Sequence, residues 1–452
     1  MRNVGTIFRF SAIVSCIIFL AHPNASTAAP CPCDIYEAGG TPCVAAHSTT
    51  RALYASYNGP LYQVRRTSDN QTKDIGLRTA GGFVNAADQD AFLAGKAGTI
   101  SKIYDQSPNG NHLTKAPGGT FPAACLEADA NKAKIKINGY DAYGVYTTGA
   151  WEPSPGTGYR NNATKGVITG NNAEGIYMVC GGKHYNEWCC FDYGNAQTNV
   201  QAKGPATMES VYFGDSKQWG YGSGDGPWVM NDCEFGIQAG VDPNGKLGVW
   251  MGNTTIVADY VTGIVKSDTS NLYAIRGGDA VKDTLKTMYR GRQAPGYFPK
   301  KLEGAIILGV GGDNSHTGEG TFFEGAMTKG MPSDTTEAAL QKNIIAAGYG
   351  RTTTSTVWIG ADDPARASIF RINYNPSNAK AAINYALPDA RHVSANIFDQ
   401  GGRRIAAIAD GIFPAGRHEA VWDARRVPAG VYVWRIVVDG REGWAGKVII
   451  GK

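Results

Sequence analysis

The stretch EGAIILGVGGDNSHTGEGTFFEG, Glu303 to Gly325, sets a short apolar run, Ala305 to Val310, ahead of the pair Gly311-Gly312. A run of this length closed by glycines reads as a buried strand, since a helix needs a longer segment and tolerates glycine poorly. Asp313 then stands in the loop at the strand end. Loops at strand ends commonly carry binding and catalytic groups, although an ordinary turn aspartate has the same local signature.

The same pattern recurs along the chain. GVITG at 166–170, GIYMVCGG at 175–182 and LGVWMG at 247–252 are short apolar or alternating runs separated by Gly, Asn, Asp and Pro. From about Asp34 to Met327 this is the spacing of an all-β sandwich. With 59 Gly, 10% aromatic and only 18% charged residues in 452, the chain reads as an extracellular β-rich protein long enough for more than one core. The clearest helix, SDTTEAALQKNIIAAGYG at 333–350, has Asp334 and Glu337 in capping-box spacing, Leu340, Ile344 and Ala347 on one face, and Gly348 or Gly350 as its stop. It closes a first domain, residues 30–350.

RTTTSTVWIGADDPA follows as a junction, taken as residues 351–362, and residues 363–452 alternate strands with Gly-containing turns in a second, small β-sandwich. Charge also divides there: Asp363 to Lys452 carries a net +5 and Pro30 to Asp362 a net −3. Basic residues are not clustered with aromatics and no nucleic-acid motif is present, so a nucleic-acid partner is not expected.

The first 29 residues read as a secretory signal: Arg2 and Arg9, an apolar run from Phe10 to Ala21, and small residues from Ser26 to Ala29. The apolar run is shorter than the roughly 20 residues of a membrane anchor. The expected location is therefore secreted or cell-surface. With Cys16 in the leader, eight of nine cysteines remain for an oxidising compartment. Two of them, Cys189 and Cys190 in HYNEWCCFDYGNA, are adjacent. Neighbours across a trans peptide lie about 3.8 Å apart, closer than the usual span of a disulfide. Either the two are independent, or they form a strained bond to each other.

A second site candidate is WGYGSGDGPWVMNDCEFGI, Trp219 to Ile237. Strand periodicity puts Trp228, Met230, Asp232 and Glu234 on one face and Val229, Asn231, Cys233 and Phe235 on the other. Two carboxylates at i and i+2, if partly buried, favour retention of a proton by one of them. A solvated polar face is the alternative.

Taken together, CDIYEAGGTPCVAAHSTTRALYASYNGPLYQVRR, IYDQSPNGNHLTKAP, GYRNN, HYNEWCCFDYGNA, WGYGSGDGPW and EGAIILGVGGDNS resemble the catalytic domain of glycoside hydrolase family 54 α-L-arabinofuranosidases, from about Pro30 to Gly350. The resemblance implies a concanavalin-like β-sandwich (jelly roll) and exo-cleavage of terminal arabinofuranose from arabinose-containing plant cell-wall polysaccharides, arabinan or arabinoxylan. It also implies retention of anomeric configuration, with no metal and no cofactor. It implies Glu234 as nucleophile and Asp313 as general acid/base. A vicinal disulfide falls on Cys189 and Cys190, which form a sugar platform with Trp219, Asp232 and Gly312, and a second disulfide joins Cys33 to Cys43.

The sequence departs from the family in placing Phe235 and Gly236 after Glu234, where members carry Asn. QDAFLAGKAG lacks the cysteines of a short-range family disulfide, and Cys31, Cys125, Cys180 and Cys233 stay unassigned. The tail, with INYALPDARHVSANIFDQGGRRIAAI and VPAGVYVWRI, resembles the Ig-like C-terminal sorting or anchoring domains of bacterial secreted enzymes, which implies contact with secretion machinery or the cell surface; a spacer sandwich is the alternative. For the first domain, the rivals are a non-catalytic, lectin-like carbohydrate-binding protein and activity on β-xylosides or galactofuranosides.

Overall fold

The computed structural model describes residues 30–244, 246–282, 284–352, 368–375, 379–387, 389–439 and 442–451. The leader at 1–29 and most of the 351–362 junction lie outside the described residues.

Two seven-stranded antiparallel sheets form the centre of the first part, beside a four-stranded sheet of Thr72–Ile75, Tyr62–Arg66, Gly98–Ile103 and Ala128–Asp129. One runs Cys43–Ser48, Gly320–Lys329, Glu174–Tyr185, Tyr260–Ser267, Tyr273–Asp279, Lys286–Gly291, with Val145–Thr147 also on Gly320–Lys329. The other runs Ile237–Gln238, Trp228–Asp232, Glu209–Gly214, Asp192–Ala196, Ala305–Leu308, Tyr159–Asn161, Thr114–Lys115. They share one apolar core, in which Val211, Phe213 and Val229 of the second sheet join Ile264 and Ile275 of the first. Close approach requires a missing side chain: a Cβ on Gly263 would lie 2.9 Å from Val211 and 3.1 Å from Val229. This is a β-sandwich, as the turn spacing leads one to expect.

Pleat alternation decides what faces the far side of the second sheet. On Trp228–Asp232, Val229 points into the shared core, while Trp228 and Met230 pack outward with Tyr212, Cys190 and Ile237 in a separate buried cluster. Full burial of side chains of this size stabilises by about 1.5–3 kcal/mol each, so the outer face is itself a firm platform.

The late helix is Asp334–Ala347, and it buries Leu340, Ile344 and Ala347. Its N-cap is Ser333, whose hydroxyl accepts from the Thr336 N–H, and Gly348 ends it at φ 74°. Glu337 does not turn back as a capping box expects. Its carboxylate is fully buried and reaches across to Lys266 at 2.9 Å and Arg276 at 2.5 Å, because a tertiary ion pair in the interior outcompetes a local cap.

Residues 368–451 form their own pair of antiparallel sheets. Ser368–Asn375, Lys380–Leu387 and Gly416–Asp423 make one; Arg404–Phe413, Arg391–Phe398, Gly430–Val438 and Glu442–Ile450 make the other. Ile383, Tyr385, Val393, Ile397, Trp422, Trp434 and Ile436 fill a core that, among the described residues, shares none with the first.

Candidate active site

Cys189, Cys190, Trp219, Asp232, Glu234, Gly312 and Asp313 all line one pocket of about 200 Å³. Four chain segments meet there: the loop before Asp192–Ala196, the loop after Glu209–Gly214 that carries Trp219, the hairpin after Trp228–Asp232, and the loop after Ala305–Leu308. Strand pairing brings them together, since Asp192–Ala196 lies between Glu209–Gly214 and Ala305–Leu308 in the sheet.

Cys189 and Cys190 are bonded to each other, across a cis peptide with Cα atoms 2.9 Å apart. The Cys190 sulfur lies 3.2 Å from Asp232 Oδ2, and the Cys189 sulfur 3.4 Å from Ser315 Oγ. Cys33 is bonded to Cys43, with Cα atoms 5.6 Å apart. Cys31, Cys125, Cys180 and Cys233 are buried free thiols.

Glu234 does not extend the strand. Asp232 is its last residue, and Glu234 and Phe235 adopt left-handed conformations at φ 66° and 58° in the turn that leads back to Ile237–Gln238. The alternation expected through Phe235 therefore stops at Asp232, because the chain reverses and re-pairs Asp232 with Ile237. The Asp232 carboxylate accepts the Glu234 N–H at 2.9 Å and steadies this turn. A non-glycine residue at positive φ is strained, and here two succeed each other at the pocket wall.

Glu234 is 6% exposed, and its Oε2 accepts the Gln197 amide at 2.6 Å. Burial, with Asp232 and Asp313 nearby, pushes its carboxyl up to about 8, while the Gln197 donor and the Arg160 guanidinium favour the ionised form. Asp232 is raised to about 6 by burial. Beneath it, Asp192 is buried completely and lies well above the usual carboxylate range, from burial first and then from the Asp232 charge. The site is thus a carboxylate cluster in which burial raises the proton affinity of Asp192, Asp232 and Glu234.

Gly312 has no room for a side chain: a Cβ there would lie 2.6 Å from Glu234 Oε2 and 2.4 Å from Gln197 Oε1. Its bareness lets the Glu234 carboxylate lie against the backbone next to Asp313. Asp313 Oδ1 accepts the Ser315 N–H at 2.9 Å, which fixes the loop. Two residues without a sequence-assigned role complete the frame. Arg160, in GYRNN, donates to the Gly312 carbonyl at 2.8 Å and to the Gln197 carbonyl. Burial lowers it to about 10, opposed by Glu234 and Asp313, so it stays a cation at neutral pH. Gln197 directly follows Ala196, the end of the HYNEWCCFDYGNA segment; neither residue carries a signal in one sequence beyond its place in or beside a quoted motif.

The family profile described as "Alpha-L-arabinofuranosidase B, catalytic" matches residues 32–350. The chain belongs to this arabinofuranosidase family. Alpha-L-arabinofuranosidase B of Aspergillus kawachii is 51% identical over 337 residues, covering 73% of this chain and 65% of that protein. A Trichoderma koningii protein named "Arabinofuranosidase/B-xylosidase" is 52% identical over 325 residues, covering 70% of this chain and 63% of that one. The chain thus spans somewhat less than two thirds of the length of these relatives. Among solved family members, an arabinofuranosidase complexed with arabinofuranosyl-alpha-1,2-xylobiose superposes with a TM-score of 0.67 at 46% identity, covering 80% of this chain and 73% of that chain. The same figures hold for a family 54 α-L-arabinofuranosidase soaked with a cyclic sulfate inhibitor. The family match ends at Gly350, with the late helix.

Proposed function

We propose that residues 30–350 are a secreted, retaining, exo-acting α-L-arabinofuranosidase that releases terminal arabinofuranose from arabinan or arabinoxylan side chains. The observation that carries this is the meeting of Glu234 and Asp313 on one small pocket whose remaining wall is a bonded cysteine pair with Trp219, Asp232 and Gly312. A pocket, unlike an open cleft, takes the end of a chain. Retaining hydrolysis needs a carboxylate that attacks the anomeric carbon and an acid that protonates the departing oxygen. Glu234 attacks in its ionised form, which the Gln197 amide and the Arg160 guanidinium favour, and forms a glycosyl-enzyme as the glycosidic bond breaks, while Asp313 gives its proton to the leaving oxygen. Asp313 then takes a proton from the incoming water as that water cleaves the intermediate. The disulfide and Trp219 present an apolar surface to the carbon face of the sugar, and Asp232 accepts from its hydroxyls.

The second reading, action on β-xylosides, is favoured by the name of the Trichoderma koningii relative. For residues 363–452 we infer an Ig-like sorting or anchoring module. Two sheets about a separate core and a net charge of +5 support a unit that contacts secretion machinery or the cell surface.

Release of p-nitrophenol from the α-L-arabinofuranoside and from the β-xyloside tests the reading, since a lectin binds without turnover. Asp313→Asn should slow release of arabinose from arabino-oligosaccharides far more than the first step on the p-nitrophenyl substrate, whose phenolate leaves with little help. Added azide should then relieve the slow second step. Equal losses on both substrates with no azide effect would assign Asp313 another role.

A further inference from the structure

Three aromatic side chains at the pocket have no part in the chemistry above: Trp151, Phe121 and Phe235. Trp151 is 59% exposed, an unusual state for the largest apolar side chain. Its exposure does not come from a loose loop. Ala150 N–H donates to the His316 carbonyl at 3.0 Å, Ser154 N–H to the Trp151 carbonyl at 2.9 Å, and the His316 ring meets the Ser154 carbonyl at 3.3 Å. The indole also packs edge-to-face on half-buried Trp188, ring centres 5.0 Å apart. Phe121 is tied to the same loop: its N–H donates to the Asp313 carbonyl at 3.2 Å, and the Asn314 amide donates to its carbonyl at 3.0 Å.

Both aromatics are therefore fastened to the segment 313–316, which carries the proposed acid. The acid must stand beside the leaving oxygen, so whatever is attached to that oxygen lies on the side these aromatics occupy. Phe235 instead adjoins Glu234 in the chain. We propose that Trp151, braced by Trp188 and flanked by Phe121, is a binding platform for the sugar ring on the leaving-group side, and that the ring it takes is a β-xylopyranosyl unit. A pyranose with all its hydroxyls equatorial exposes flat C–H faces to an indole, whereas a puckered furanose offers a smaller one. The proposal rests on the arabinofuranosidase reading for its place in catalysis, but the platform itself is a binding site and is measurable without turnover.

The experiment has two arms on the full chain. In calorimetric titration with xylotriose, Trp151→Ala should raise the dissociation constant about tenfold and Trp151→Phe should restore most of the affinity. In the kinetic arm, kcat/KM is compared for an arabinofuranosyl-xylotriose and for methyl α-L-arabinofuranoside, two substrates with similarly poor alkoxide leaving groups. Trp151→Ala should lose about tenfold on the first and several times less on the second. Absence of xylotriose binding to the wild type, or equal affinity in the Ala variant, overturns the platform. Equal losses on both substrates also overturn it, and show that Trp151 only braces the Asp313 loop. A wild type that binds xylotriose through Trp151 and cleaves no arabinofuranoside upholds the platform and refutes the enzymatic reading.

Discussion

Replacing Glu234 by Gln should stabilise the protein, and by an amount that grows with pH. The Glu234 carboxyl is held at about 8 in the folded pocket against an ordinary value near 4.5, chiefly by burial. Below pH 4.5 both folded and unfolded chains keep the proton, and the charge costs nothing. Between 4.5 and 8 the unfolded chain releases a proton that the folded chain retains, so stability falls as pH rises; above 8 the penalty is constant. From 4.5 to 7 the difference integrates to about 3 kcal/mol. Glutamine has nearly the same shape, carries no charge, and keeps an oxygen that can accept the Gln197 amide now seen at 2.6 Å. Melting temperatures of wild type and Glu234→Gln, followed by tryptophan fluorescence, should therefore coincide near pH 4 and separate by roughly 5 °C at pH 7, the variant higher. Such a gain at the cost of activity is the expected sign of a site kept strained for function. A difference independent of pH, or a variant less stable at pH 7, would refute the view that desolvation dominates this carboxylate.

Two further outcomes are expected. Gly312→Ala should reduce kcat/KM on p-nitrophenyl arabinofuranoside by at least about a hundredfold, because the added carbon meets Glu234 Oε2 at 2.6 Å; circular dichroism should show the sandwich intact, and activity within a few-fold of wild type would show that the pocket wall yields. A chain ending at Gly350 should fold and retain hydrolysis of a soluble arabinofuranoside, since the two cores share no residue among those described; a folded but inactive truncation would place the tail in the active site.

Much of the framework was legible in local sequence. The apolar run closed by Gly311-Gly312 is a strand at Ala305–Leu308 with Asp313 in the following loop, and alternation in WVMND correctly separates Val229 from Trp228 and Met230. The helix at Asp334–Ala347 buries the face its periodicity marks. These features depend on neighbours a few residues away, and one sequence carries that information directly.

What the sequence by itself determined is thus the β class, the position of the main strands, and, through long motifs shared with a family, the names of seven of the residues that line the pocket. Tertiary structure decided how they meet. Glu234 reaches the site through a left-handed turn, a conformation that Glu and Phe do not announce, because the hairpin must re-pair Asp232 with Ile237. Arg160, Gln197 and Trp151 acquire their places only when strands as distant as Tyr159–Asn161 and Ala305–Leu308 lie side by side. Glu337 forsakes its cap for Lys266 and Arg276, and the Glu234 carboxyl takes its high value from burial that no local pattern contains. Periodicity specifies which way a side chain points from its own strand; desolvation and charge pairing depend on which other strands arrive there, and chain pairing over more than a hundred residues sets that.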